Sequence, residues 1–320
     1  MGQLIKLQDY VSRYEQDIYR YPTQYVHLKK QQWAKVHSAF QSGMLDEVYK
    51  EPEVEEWIPE KAGLLTKIKN VIWKKEIEIE VDEEKDTEHQ NQEAWHFTIP
   101  VIPQNIDDLK LAFLEQLFQS QMKWATSTIR ERSFVDYSYY EDERLKFLLQ
   151  RFPDTFLVMY KPVFQLKKAS IEAETIILTP TAAWCIDFLE NDDDTVFVGS
   201  QEKFWVMRHH QSGEKKILNP CIGLQRTEWM MKQIFSIYDV ELPIKKAIIS
   251  RNGYFDAAGL YDCLLLDKKT FPAWFQSMRR LSSPLKRQQL KASEALLDYS
   301  LTMSTMRMMG NEPINSNSVE

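Results

Sequence analysis

The chain has 320 residues, 43% of them hydrophobic and 12% aromatic, a globular composition with material for one or two cores. A formal net charge of −7 argues against a broad electrostatic grip on nucleic acid by the whole chain, and no window approaches the length of a membrane span. Cys185, Cys221 and Cys263 are odd in number, far apart and without zinc-ligand spacing; with no signal-peptide core at the N-terminus, the expectation is a cytoplasmic protein with reduced thiols.

Residues 1–45 read as a helical pair. Leu4, Leu7, Tyr10, Val11, Tyr14, Ile18 and Tyr19 recur at three- and four-residue intervals, Tyr21-Pro22-Thr23 punctuates, and Val26, Leu28, Trp33, Val36 and Phe40 carry a second helix to Ser42-Gly43. The tyrosines alternate with Arg13, Arg20, Lys29, Lys30 and Lys35, a mixture that can stack on single-stranded nucleic acid or meet a protein partner. At helical spacing they read first as packing residues. Breaks at Glu51-Pro52-Glu53 and Ile58-Pro59-Glu60 precede a basic amphipathic segment, residues 61–75, read as a core-facing helix with a solvated lysine face. Docking on an anionic membrane or a partner is the other reading of that segment. Residues 76–81 alternate as a one-sided strand does, and 82–93 are polar and charged; positions 76–88 hold eight acids against one lysine. A linker here sets a helical N-terminal region, 1–95, apart from the rest of the chain.

The second region, 96–283, reads as α/β. A short strand over 97–103 leads to a long helix from Asn105 to Arg132, striped by Leu109, Leu114, Leu117, Phe118, Met122 and Trp124. A helix with acids in its first turn, Glu141-Asp142-Glu143, ends before Pro153. Strands come next at 156–160, 163–166, 175–178, 183–189, 195–198, 204–208, 244–250 and 262–266, with helices after Asn219-Pro220 and from Thr270 to Leu281. Pro284 opens a last helix to residue 309, and 310–320 form a polar tail expected to be disordered.

The strand pair around Thr179-Pro180-Thr181 carries the chemistry. Glu174 heads its first arm and Asp187 lies near the end of its second, in otherwise apolar surroundings where a carboxylate is costly to bury unpaired. Acids at strand ends in water explain this blandly. A divalent-metal site across the hairpin explains it functionally.

A helix with an early Glu, a strand, and a hairpin with an acid in each arm resembles the NERD (nuclease-related) domain family, itself similar to the PD-(D/E)XK nucleases. Glu174 falls where that family has Asp, Ile186-Asp187-Phe188-Leu189 where it has Ile-Glu-x-Lys, and Glu143, ahead of Glu141, where it has its helical Glu. Phe204-Trp205 and Asn219-Pro220 match two further landmarks; Gly223 stands where the family often has Gln, and Gln225 comes two residues later. The resemblance spans roughly residues 135–280. It implies a restriction-endonuclease-like mixed sheet flanked by helices, with Glu174 and Asp187 holding Mg²⁺ and a motif lysine beside it.

In strand geometry residues 187 and 189 share a face, and Leu189 stands where that lysine is implied. Lys167, Lys168 and Lys203 are the candidates to replace it and to touch nucleic acid. Three readings are open: a degenerate nuclease-related domain serving nucleic-acid-related binding or regulation, an active Mg²⁺-dependent nuclease with a relocated lysine, and a membrane-surface or complex-assembly protein using residues 61–75.

Overall fold

The computed structural model describes residues 1–45, 103–128, 130–166, 169–211, 213–256 and 262–303. In chain order they form β1 (Gln3–Leu7), α1 (Tyr21–Ser42), α2 (Ile106–Trp124), α3 (Ser138–Glu141), α4 (Glu143–Arg151), β2 (Leu157–Tyr160), β3 (Val163–Leu166) and β4 (Ala169–Glu172). Next come β5 (Thr175–Leu178), β6 (Ala183–Phe188), β7 (Val196–Val198), β8 (Phe204–His209), β9 (Gly213–Leu218) and α5 (Pro220–Ile237). The remainder is β10 (Ile244–Ile249), β11 (Tyr254–Asp256), β12 (Leu264–Leu266), α6 (Phe271–Arg279) and α7 (Arg287–Tyr299).

The architecture is mixed α/β, as composition and pattern imply. Its main sheet runs β1-β2-β5-β6-β10-β12. The three central strands are antiparallel neighbours, whereas β1 joins β2, β10 joins β6 and β12 joins β10 in parallel. Every residue of β2 and β5 is buried, which is why both read as unbroken apolar runs. One face packs Val158, Ile177, Ile186 and Ile249 against Phe118, Leu145, Leu148, Phe152 and Phe271 of α2, α4 and α6 and their flanks. On the other, α5 packs on β6 and β10, and α7 packs on α5. A second sheet runs β11-β7-β8-β9, and β3 and β4 form a two-stranded sheet.

The N-terminus departs from the helical pair. Residues 3–7 are a strand, all five buried; a single 3₁₀ turn follows at Arg13–Glu15, and the α-helix begins only at Tyr21. Leu4 and Leu7 fit a helical interval, but their burial comes from pairing with Leu157–Tyr160, a partner that no local pattern announces. The strand also buries Lys6, whose ammonium donates to the Tyr10 carbonyl (2.7 Å) and Thr302 Oγ1 (2.9 Å) and pairs with Glu15. Tyr14, Tyr21 and Tyr25 pack edge-on around Trp124, the packing role expected for them.

The compact units are residues 1–30 with 117–320, and residues 31–116. The first unit thus takes in β1, whereas a boundary near residue 95 would set the whole N-terminal region apart. It also takes in α7: Gln289 Nε2 donates to the carbonyls of Thr155 (2.6 Å) and Leu178 (2.8 Å), so this helix is pinned to the central strands. The expected features at 61–75, 76–81, 82–93, 97–102 and 310–320 lie outside the described residues. Among the described residues no helix is long and apolar enough to cross a membrane.

Asn219-Pro220 opens α5 as the capping rules require. Asn219 Oδ1 accepts from the Cys221 amide (3.0 Å), and its Nδ2 donates to the carbonyls of Ser200 (3.3 Å) and Glu202 (2.9 Å). Asn219→Ala is expected to cost about 1–2 kcal/mol, read as a lower urea midpoint at unchanged m-value.

Candidate functional site

The β5–β6 hairpin is closed at one end by Thr179, whose Oγ1 accepts from the Ala182 amide (3.0 Å) and donates to the Ala182 carbonyl (2.8 Å). Its open end carries the acids. Thr175 pairs with Ile186 at the limit of the ladder, so the next cross-strand pair is Glu174 with Asp187. Like charges placed opposite one another destabilise an antiparallel pair. Burial and then the Glu174 charge push the half-buried Asp187 carboxyl up to about 7, against the Phe188 amide, Arg144 and Lys161, which favour its ionised form. Glu174 is raised as well, by burial first, with Arg226 and Lys161 opposing.

Helix α5 shapes the seat of Glu174. The Glu174 amide donates to Thr227 Oγ1 (3.0 Å), and Gly223 lies one turn before Thr227 on the same helix face. A Cβ on Gly223 would overlap the Glu174 carboxylate, so the missing side chain is what lets that group lie against the helix. Arg226 comes from the same helix, its Nη2 donating to the Glu172 carbonyl (3.1 Å), and the other cations come from elsewhere. Arg144 stands in the first turn of α4, capped by Asp142, which accepts from the amides of Arg144 (2.9 Å) and Leu145 (3.2 Å). Asp142 also accepts from the Tyr160 hydroxyl (2.5 Å), holding α4 to the end of β2. Lys161 is the next residue, its backbone at φ 46° as the chain turns from β2 into β3. Arg144 further meets Glu190 at 3.4 Å, which Arg251 also grips.

The pair expected from sequence, Glu174 and Asp187, is thus brought together. Glu143 is exposed, and the charges acting most strongly on the pair are Arg144, Lys161, Arg226 and Glu172, so its helix contributes the neighbouring Arg144 instead. Leu189 continues the backbone ladder, its amide donating to the Ile249 carbonyl (2.9 Å). Lys167 and Lys168 lie outside the described residues. Lys203 immediately precedes β8 of the second sheet, its ammonium over the Phe204 ring at 5.6 Å. Asn219 serves as the cap of α5. Lys161, Arg144, Arg226 and Gly223 escape a reading of the sequence as site residues; the only trace of Lys161 there is a Lys-Pro step at the end of a buried strand.

Gln225 lines a small cavity with Cys221, Leu224, Lys246, Asp262 and Cys263. There Lys246 pairs with Glu228 and with Asp262 (3.2 Å), and the Cys221 and Cys263 sulfurs stand 3.5 Å apart. Diamide is expected to join these two thiols, leaving buried Cys185 as the one free thiol in a denatured count.

Among the described residues no three His, Cys, Asp or Glu side chains gather as a metal-ligand set. Mg²⁺ nonetheless often takes one or two carboxylates and completes its shell with water and substrate phosphate, a donor set that Glu174 and Asp187 fit.

No family model matches the chain, and no solved structure matches it. A protein of Geobacillus stearothermophilus described as an RNA 2′,3′-cyclic phosphodiesterase is 32% identical over 123 residues, 38% of this chain and 36% of that protein. The match therefore spans about a third of the relative's length. It overturns the reading as a nuclease-related protein, degenerate or active, and lends no support to the membrane-surface or assembly reading, because the similarity found is to a phosphoesterase. The comparisons leave a mixed α/β chain similar, over 38% of its length, to an RNA 2′,3′-cyclic phosphodiesterase.

Proposed function

We propose that this protein is a phosphoesterase that opens a phosphodiester of RNA, with 2′,3′-cyclic ends as the substrate class. The observation that carries the reading is the Glu174–Asp187 carboxylate pair at the open end of one hairpin, on which the charges of Arg144, Lys161 and Arg226 bear. A cyclic phosphate is a compact monoanion, and Lys161 and Arg144 supply the charge to draw it to the carboxylates. Water then adds to phosphorus while the bond from phosphorus to one ribose oxygen breaks. One carboxylate takes the proton from the attacking water and the other, protonated, delivers its proton to the departing oxygen, leaving a terminal monophosphate. Two acids that resist ionising together suit that division of labour.

Mg²⁺ belongs to the same proposal. With both acids ionised, Glu174 and Asp187 would hold it in place of the proton-transfer roles above, and it would neutralise charge on the phosphate. Binding would appear as a rise in melting temperature with added Mg²⁺ that Asp187→Asn removes. A cytoplasmic setting is also proposed, in keeping with three free thiols.

The test is incubation of the purified chain with an oligoribonucleotide ending in a 2′,3′-cyclic phosphate, with mass spectrometry of the product. Opening to the monophosphate, lost in Asp187→Asn and in Lys161→Met, supports the reading. An untouched cyclic end, or turnover indifferent to Asp187→Asn, would sink it.

A further inference from the structure

The segment between α2 and α4 presents aromatic rings to solvent. Phe134 is 85% exposed and Tyr137 70%, the two most exposed large apolar side chains among the described residues. Single exposed rings need no explanation, but these lie three residues apart on one short segment. Arg132, Ser133, Phe134, Val135 and Tyr140 line a cavity of about 360 Å³, within the size range of small-ligand sites. Tyr137 and Tyr140 stand ring to ring at 6.0 Å, tilted by 30°, and the Arg132 charge bears on the Tyr140 phenol.

The segment is held in place. Ser133 Oγ accepts from the Val11 amide (2.9 Å) and donates to the Met303 carbonyl (2.8 Å), and Asp136 accepts from the Ser138 amide (2.9 Å). Rings anchored in this way lose little freedom when a flat ligand settles on them. The aromatic run also leads to the end of β2, where Lys161 follows. Tyr139 packs edge-on against Tyr160 at 6.4 Å, and Tyr160 is bonded to Asp142 and adjoins Lys161.

We propose that this cavity is a nucleobase subsite that takes an unstacked base of single-stranded RNA next to the end being opened. Phe134 and Tyr140 of the lining offer π-faces for stacking, Tyr137 extends that surface from beside Tyr140, and Arg132 brings positive charge to the rim. A lining that joins arginine charge to phenylalanine and tyrosine rings matches a flat, anion-bearing ligand. A lipid surface would ask for a broader apolar face and for positive charge, whereas this chain carries a net −7. The inference rests on the phosphoesterase reading for its choice of RNA.

The experiment is fluorescence anisotropy of a labelled single-stranded oligoribonucleotide, repeated with the same sequence as a duplex. The proteins compared are the full chain and its Phe134→Ala, Tyr137→Ala and Phe134→Trp forms. Preferential binding of the single strand is expected, weakened about tenfold by each alanine and retained by Phe134→Trp. Because both side chains are largely exposed, the alanine forms are expected to melt with the parent, which a thermal scan checks. Equal affinity of the alanine forms and the parent, or preference for the duplex, overturns the subsite. Binding needs no turnover, so RNA that binds as expected but is never opened refutes the phosphoesterase reading and leaves the subsite standing. Cyclic ends that are opened without any contribution from Phe134 or Tyr137 do the reverse.

Discussion

Asp187→Asn is expected to make the protein more stable and catalytically silent at once. Its carboxyl is held up to about 7 against an ordinary 3.8, by burial and by Glu174 across the hairpin. The folded state therefore binds more protons at this group than the unfolded chain between about pH 4 and 7, and stability falls as pH rises through that window. Near pH 8 the folded protein carries the full cost of the ionised group; near pH 4 it carries almost none. A shift of this size corresponds to about 4 kcal/mol at 1.36 kcal/mol per pKa unit. Partial exposure reduces it, and about 1–2 kcal/mol is the expected gain for the neutral isostere. In melts with EDTA, Asp187→Asn should stand about 2–3 °C above the parent at pH 8 and level with it at pH 4. Turnover of a cyclic end should fall by about a hundredfold or more. That combination is the mark of a functional acid kept at a cost in stability. A variant less stable than its parent at both pH values would make Asp187 a structural residue instead.

The strands of the central sheet were legible because burial on both faces leaves an apolar run that needs no context, as in β2 and β5. The cap of α5 was legible because Asn-Pro states its chemistry locally. By contrast, β1 needs a partner some 150 residues away, and its apolar spacing also fits a helix. Strand β9 is almost wholly exposed and offers no hydrophobic alternation, and β4, exposed along most of its length, is defined only by its pairing with β3. At the site, the acids could be found because they interrupt apolar strands at matched positions. Their cations could not: Arg144 arrives from a helix, and Lys161 depends on a left-handed turn that residue type does not announce. The functional reading as a nuclease-related protein failed for a related reason. An ordered set of acids across a hairpin describes a geometry, and one geometry serves more than one phosphate chemistry.

Gly223→Ala is expected to injure the site without unfolding the protein. Two departures from the family pattern, Glu at 174 and Gly at 223, look independent in the sequence. In the fold they occupy one space, the longer carboxylate lying where a side chain at 223 would stand. An alanine there must displace the Glu174 carboxylate, and the atoms in its way are the end of a flexible side chain, which can swing aside. The helix itself favours the change, since alanine in a helix interior is worth about 1 kcal/mol over glycine. Stability should therefore stay within about 1 kcal/mol of the parent while turnover falls by about a hundredfold, as misplacement of a reacting group by about 1 Å does. The double-mutant cycle isolates the cause. With Glu174→Ala already in place nothing opposes the new methyl, and Gly223→Ala should stabilise by the full helix term of about 1 kcal/mol. Urea unfolding of the four proteins reads the coupling. If Gly223→Ala has the same effect on stability whether or not Glu174 is present, the two residues do not share that space, and the seat of the carboxylate must be sought elsewhere on α5.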